Sequence, residues 1–185
     1  YKQVRFAGVQ GELAQLKIQL DQNRTEMEKC GKKLGKLKRK KLTYPAGVEL
    51  LVETLQEDFA QIGREVQPGI LCEMLEIQDE EWRDAVEGYL NTQRFYVLVK
   101  PEDFDLALGT YDRLRREKKV YSVGLINTKD LEKYDTASEG TLASVVTSRN
   151  SYARQYSNMI LGKVQLCERY EDLKKYPNSI TKGCM

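Results

Sequence analysis

The feature that most constrains this chain is a seven-residue repeat near its N-terminus. Phe6, Val9, Leu13, Leu16, Leu20, Asn23, Met27, Cys30, Leu34, Leu37 and Lys41 follow an unbroken 3-4-3-4 spacing. With Phe6, Leu13, Leu20, Met27 and Leu34 as a, the d positions are Val9, Leu16, Asn23, Cys30 and Leu37. Nine of the eleven seam positions are apolar or cysteine, which meets the coiled-coil criterion. Residues 6–41 then form a rod of roughly 54 Å at about 1.5 Å per residue. Asn23 on the seam fixes register at some cost in stability. Gly8, Gly11, Gly31 and Gly35 each weaken the helix by up to about 1 kcal/mol relative to alanine. The competing reading is a single amphipathic helix packed on the rest of the chain. The narrow seam and polar opposite faces favour a coiled-coil partner, either the returning strand of a longer chain or another subunit.

Charge divides the chain at the same place. Residues 1–43 carry 12 Lys/Arg and 4 Asp/Glu, a net of +8, while residues 44–185 carry 18 and 24, a net of −6. The overall +2 therefore hides a basic arm joined to an acidic body, and two units are expected, 1–43 and 44–185. The rod ends in Lys32, Lys33, Lys36, Lys38, Arg39, Lys40 and Lys41, seven basic residues in ten. Clustered Lys/Arg attract nucleic-acid phosphates with little sequence preference, so these residues are candidate DNA contacts. A solvated face pairing with acids on the partner strand explains them too. No aromatics interleave the run, which gives no base-stacking platform for single strands.

The body reads as alternating helices and strands. Tyr44-Pro45-Ala46-Gly47 breaks the rod, and Val48, Leu51, Val52, Leu55, Phe59 and Ile62 mark one helix face. Strands are expected over 70–77, 94–99, 120–126, 164–167 and 179–181, with 142–146 a short strand or turn. Asp79 caps a helix carrying Trp82, Ala85, Val86, Tyr89 and Leu90. Pro101 opens the next helix, with acids in its first turn and Arg/Lys at its end, matching the helix dipole. Further helices are expected over 152–161 and 170–175. Such alternation predicts an α/β (α+β) body with a mixed sheet and at least partly parallel pairing, preceded by a long coiled-coil helix.

Composition narrows the chemistry. There is no histidine, so no histidine general base, no Ser-His-Asp or Cys-His nucleophile and no mixed Cys/His zinc site. Phosphate-binding GxxxxGK[ST] and GxGxxG motifs are absent. Cys30, Cys72, Cys167 and Cys184 stand far apart, without a CxxC pair, and are expected to be buried or half-buried free thiols. Asp79-Glu80-Glu81 suggests a divalent metal or, as the simpler reading, the acidic first turn of a helix. Tyr152, Arg154 and Tyr156 form either a polar site or the two faces of a helix. No catalytic residue, metal or cofactor is expected. No apolar run approaches the roughly 20 residues that cross a bilayer. The chain opens at Tyr1 without a methionine and is expected to be a segment of a longer protein.

The stretch from Pro68 to Leu90, with Ala85-Val86-Glu87-Gly88-Tyr89-Leu90 matching A-[IV]-E-x-x-L, resembles the opening of the hinge domain of structural-maintenance-of-chromosomes (SMC) proteins. The strand near 94–99, the helix after Pro101 and the strand near 120–126 follow in that family's order. The segment 152–162 looks like the family's helix ending in leucine-glycine. Ser179-Ile180-Thr181-Lys182-Gly183 looks like its strand ending in T-x-D-G, with Lys182 departing from the pattern. Family hinges place glycine-rich segments where two subunits pair, whereas this chain has Asn91-Thr92 after the signature helix. The helix before the hinge core makes the chain look most like the MukB-like condensins and the Wadjet-type, JetC-like plasmid-defence ATPases.

The resemblance implies a dimerisation module that joins two coiled-coil arms of a cytoplasmic, nucleoid-associated ATPase. The heads would lie far away in the full-length chain, and the assembly would act on DNA in chromosome organisation, repair or plasmid defence. The alternative from the residues alone is a small α/β enzyme or nucleotide-binding domain with a helical oligomerisation arm. The missing phosphate loop and missing histidine weigh against it.

Overall fold

The computed structural model describes residues 15–27, 44–121 and 123–184. The chain divides into two units, Tyr1–Thr43 and Tyr44–Met185. In the first unit, 15–27 are helical (α1), and the Thr25 hydroxyl donates to the Asp21 carbonyl one turn back.

The second unit begins where Pro45, extended at φ −54° and ψ 142°, accepts the amides of Val48 and Glu49 on its carbonyl. Proline cannot continue a preceding helix but its carbonyl can start a new one. Helix α2 (Ala46–Gln61) follows and buries Val48, Leu51, Thr54, Leu55 and Phe59 at i, i+3, i+4 spacing. Helix α5 (Phe104–Lys118) packs on it. Asp58 pairs with Arg113, and Arg64 with Asp103, so the two helices run in opposite directions. Pro101 sits at the start of the short 3₁₀ turn Pro101–Asp103 that leads into α5, and Arg115, Arg116 and Lys118 lie in the last turn of α5.

Against these two helices packs the first sheet of the unit. Strand β1 (Gly69–Ile70) pairs antiparallel with β3 (Val97–Leu98), Ile70 opposite Val97, and Val97 also forms a parallel bridge to Leu125. Two more two-stranded sheets complete the unit. One is antiparallel, β2 (Glu76–Ile77) with β4 (Val146–Thr147); the other is parallel, β5 (Gln165–Leu166) with β6 (Ser179–Ile180). Helices α4 (Arg83–Leu90) and α6 (Ser151–Leu161) cover them. The expected mixed α+β architecture is present, divided among three small sheets.

Several expected elements are shorter than their patterns suggested. The segment 70–77 is not one strand. A helical turn, α3 (Leu71–Met74), interrupts it, so its two halves pair in different sheets. In an unbroken strand Glu73 would share a face with the fully buried Leu71; the turn keeps Leu71 inside and brings Glu73 to the surface. Of 94–99 only Val97–Leu98 enters a ladder, because Asn91, at φ 45°, starts a 3₁₀ turn over Asn91–Phe95. Of 120–126 only Leu125 pairs among the described residues. There Gly124 is required by packing, since a Cβ would stand 2.7 Å from the Tyr96 ring. The segment 170–175 forms a 3₁₀ helix, and 142–145 another, directly before β4. Ile62 and Tyr89, expected on apolar faces, are exposed.

Candidate interaction surfaces

The signature helix is built by its own spacing. Ala85, Val86 and Leu90 are buried against Trp82, Leu142, Leu161 and Ile180. The Asp79 carboxylate accepts the Glu81 amide and caps the turn Glu80–Trp82 that leads into α4. Glu87 faces outward and meets Arg83 and Arg94, each at 3.3 Å, which ties the helix to the turn that follows it. The small residue Gly88 has a specific use. The Cys184 Sγ stands where its Cβ would be, 2.7 Å away, and donates to the Asp84 carbonyl at 2.7 Å.

The last described residues therefore close over this helix. Lys182 Nζ bridges Glu81 at 2.6 Å and Glu168 at 3.0 Å, and lies 5.6 Å from the centre of the Trp82 ring. Those two carboxylates hold the Lys182 ammonium well above its ordinary pKa. The acidic run Asp79-Glu80-Glu81 is thereby accounted for as structure. Asp79 caps, Glu80 pairs with Arg83 at 2.5 Å, and Glu81 pairs with Lys182. Among the described residues no group of three or more histidine, cysteine or carboxylate side chains is arranged to hold a metal.

The other polar candidates also hold the fold together. Arg154 pairs with Asp135, whose carboxyl this contact holds below the usual range, and Asn158 donates to the Tyr134 carbonyl at 2.8 Å. These bonds fasten the polar stretch before the third sheet to α6. Tyr156 donates to Gln93 at 2.9 Å, and burial pushes its hydroxyl pKa up to about 12. It lines a cavity of about 270 Å³ with Tyr96, Ile126, Leu131, Tyr134 and Met159. Of the cysteines, Cys167 is buried and Cys72 half-buried; burial, and next Glu73, push the Cys72 thiol up to about 11. Cys184 is exposed, contrary to expectation, because it lies on the outer side of α4, its Sγ donating to the Asp84 carbonyl. Cys30 lies outside the described residues.

The seam residues Leu16, Leu20, Asn23 and Met27 fall on α1, and Leu16, Leu20 and Met27 are 63%, 64% and 75% exposed. A stripe of apolar side chains with that much surface left open is what a coiled-coil strand presents before its partner arrives. Phe6, Val9, Leu13, Leu34 and Leu37, and the whole basic run of Lys32, Lys33, Lys36, Lys38, Arg39, Lys40 and Lys41, lie outside the described residues. Among the described residues no helix is long and apolar enough to cross a membrane.

Sequence reasoning missed the closure of 182–184 over α4 and the pairing state of the third sheet. Gly88, inside an otherwise helix-favouring signature, was the available signal for the first. In that sheet β5 is flanked on both sides, by β6 and by the Thr141 bridge, so that β6 is an outer strand among the described residues.

No protein-family model matches the sequence, and no curated protein matches it. Solved structures do. The chain is similar to the hinge domain of the SMC protein of Pyrococcus furiosus, at 15% identity and TM-score 0.51 over 77% of this chain and 85% of that one. It is also similar to an asymmetric dimer of the SMC hinge domain of Geobacillus stearothermophilus, at 14% identity and TM-score 0.57 over 89% and 71%. A third similar structure, described as the folded elbow of cohesin, matches at 18% identity and TM-score 0.53 over 74% of this chain and 21% of that one. The fold is that of SMC hinge domains.

Asp58 offers a check on how α2 is held. Burial opposes its ionisation, but the Thr110 hydroxyl and the Arg113 guanidinium prevail and hold its pKa below the ordinary value. A lowered carboxylate stabilises the fold above its unfolded pKa of about 3.9, and that contribution disappears as pH falls through the folded pKa. Asp58→Asn is therefore expected to lower the melting temperature at pH 7. Wild type and variant should converge in the strongly acid range; a constant gap from pH 7 to acid would contradict the assignment.

Proposed function

We propose that this chain is the hinge, with part of one adjoining arm, of an SMC-like ATPase. The observation that carries the reading is the likeness of the fold to SMC hinge domains across 77% and 89% of the chain. The heptad seam in the position of the arm supports it. In this reading residues 44–185 join two copies, and residues 1–43 form one strand of a coiled-coil arm whose partner is the returning strand of the same longer chain. ATPase heads at the far ends of the arms supply the chemistry, and the module itself is non-catalytic. The shifts of Cys72 and Tyr156 agree with this, since both oppose formation of the anion a nucleophile needs.

The physical need for pairing follows from the sheets. Each contains two named strands, so most of its backbone groups lie near an edge, and open edges are covered in stable proteins by further strands, helices or partners. A two-fold pairing of hinge bodies buries the same patch on both copies. The arm's net charge of +8 and the run Lys32–Lys41 support a DNA contact at the end of the rod, in a complex associated with the nucleoid. The helix α2 ahead of β1 favours the MukB-like and JetC-like branch, with chromosome organisation, repair or plasmid defence as the process served.

Two measurements test this. Multi-angle light scattering at micromolar concentration should report a dimer, and a strict monomer at high concentration would sink the hinge reading. Replacing Lys36, Lys38, Arg39 and Lys40 with Glu should weaken DNA binding and flatten its dependence on salt. Binding left unchanged would return the basic run to a role in the coiled coil.

A further inference from the structure

A cavity of about 270 Å³ lies between α6, Tyr96 and the segment 125–134. Its lining changes character with depth. Ile126, Leu131 and Tyr156 are buried, and Tyr96, Tyr134 and Met159 are half-buried. Asn127, Asp130 and Lys133, at its mouth, are exposed. An apolar, aromatic interior with a few polar groups is the composition of a small-molecule site, and this one lies just below the roughly 300–1,000 Å³ that such sites span.

The three tyrosines are held from outside the cavity. Tyr96 lies against Gly124, where a Cβ would stand 2.7 Å from its ring. The Tyr156 hydroxyl donates to Gln93 at 2.9 Å, and the Tyr134 carbonyl accepts from Asn158 at 2.8 Å. None of the three rings stacks on another among the described residues, so the space between them stays open. A guest would therefore meet walls already in place, which lowers the cost of ordering them.

The charges at the mouth narrow the guest. Among the described residues neither Asp130 nor Lys133 forms an ion pair, with the other or with a third group, although both line the same cavity. Lys133 Nζ lies 5.3 Å from the centre of the Tyr134 ring. The Asn127 carbonyl oxygen of the side chain accepts the Lys129 amide, which leaves its NH₂ group as a donor. A lone cation entering here is repelled by Lys133, and a lone anion by Asp130. A neutral guest displaces water from both charges and returns no bond to either. A guest with one charge of each sign satisfies both, and an apolar body behind those charges fills the aromatic interior.

We propose that this cavity binds a free amino acid with an aromatic or branched apolar side chain. Its ammonium group faces Asp130, its carboxylate faces Lys133 and the Asn127 NH₂ group, and its side chain lies among Tyr96, Tyr134, Tyr156 and Met159. The site is independent of the hinge reading and stands or falls without it.

Scanning fluorimetry of the full chain with each standard L-amino acid at millimolar concentration, followed by titration calorimetry, tests the site. L-Phenylalanine is expected to raise the melting temperature and to bind at one site. Phenylalaninamide, which lacks the carboxylate, and 3-phenylpropionate, which lacks the ammonium group, should each bind about fivefold more weakly or worse. Lys133→Gln should weaken L-phenylalanine by a similar factor and leave phenylalaninamide unchanged. Asp130→Asn should weaken L-phenylalanine and leave 3-phenylpropionate unchanged. Both positions are exposed, so neither variant disturbs the core. Binding by no amino acid overturns the proposal. So does equal binding of L-phenylalanine and its two analogues, or L-phenylalanine binding that neither variant alters.

Discussion

Val97 is the residue on which the body depends. Its side chain is fully buried, and its amide and carbonyl both bond to the 124–126 segment while Ile70 lies opposite it on the other side. It lies opposite Ile70 in the antiparallel pair, donates to Gly124 at 2.9 Å, and accepts from Ile126 at 2.8 Å. Three segments far apart in sequence meet at this point. A two-residue strand has little stability alone, so the pairing persists only because helices α2 and α5 pack over it with Leu51, Leu55, Phe59, Phe104 and Leu114.

What could be read from the sequence followed the length of each pattern. Helices α2, α4, α5 and α6 have three or more turns of consistent spacing or clear caps, and they stand where expected. Asn150, which caps α6 by accepting the Ala153 amide, was passed over because Ser and Asn are common in the polar run before it. The strands were over-extended, for a physical reason. β-branched and aromatic runs such as Arg94 to Val99 favour extended backbone, but the ladder length is set by partners, and each partner here contributes two residues. The turn at Leu71–Met74 was illegible because nothing local demands it. It arises from the conflict between burying Leu71 and solvating Glu73, which exists only in the folded body.

The site was less legible than the fold. The residues that the resemblance pointed to, Ala85-Val86-Glu87-Gly88-Tyr89-Leu90, proved to be chiefly architectural: three are core, Glu87 links two arginines, and Gly88 makes room for Cys184. The strand β6 lies beside them: Ile180 packs with Ala85, Val86 and Leu90, and Lys182 and Cys184 reach Glu81 and Asp84. The charge split between arm and body was visible from the residues alone, and it remains the best guide to where phosphate would meet this chain.

The central claim is that the body, not the arm, joins two copies. The exposed seam of α1 is the obvious rival, since a coiled coil between arms of two chains would also give a dimer. Sedimentation equilibrium of the Leu16→Lys/Leu20→Lys variant separates them. The account predicts that this variant stays dimeric with its dissociation constant within about twofold of wild type. Conversion to monomer at the same concentration would show that the arm holds the copies together, and would contradict the hinge.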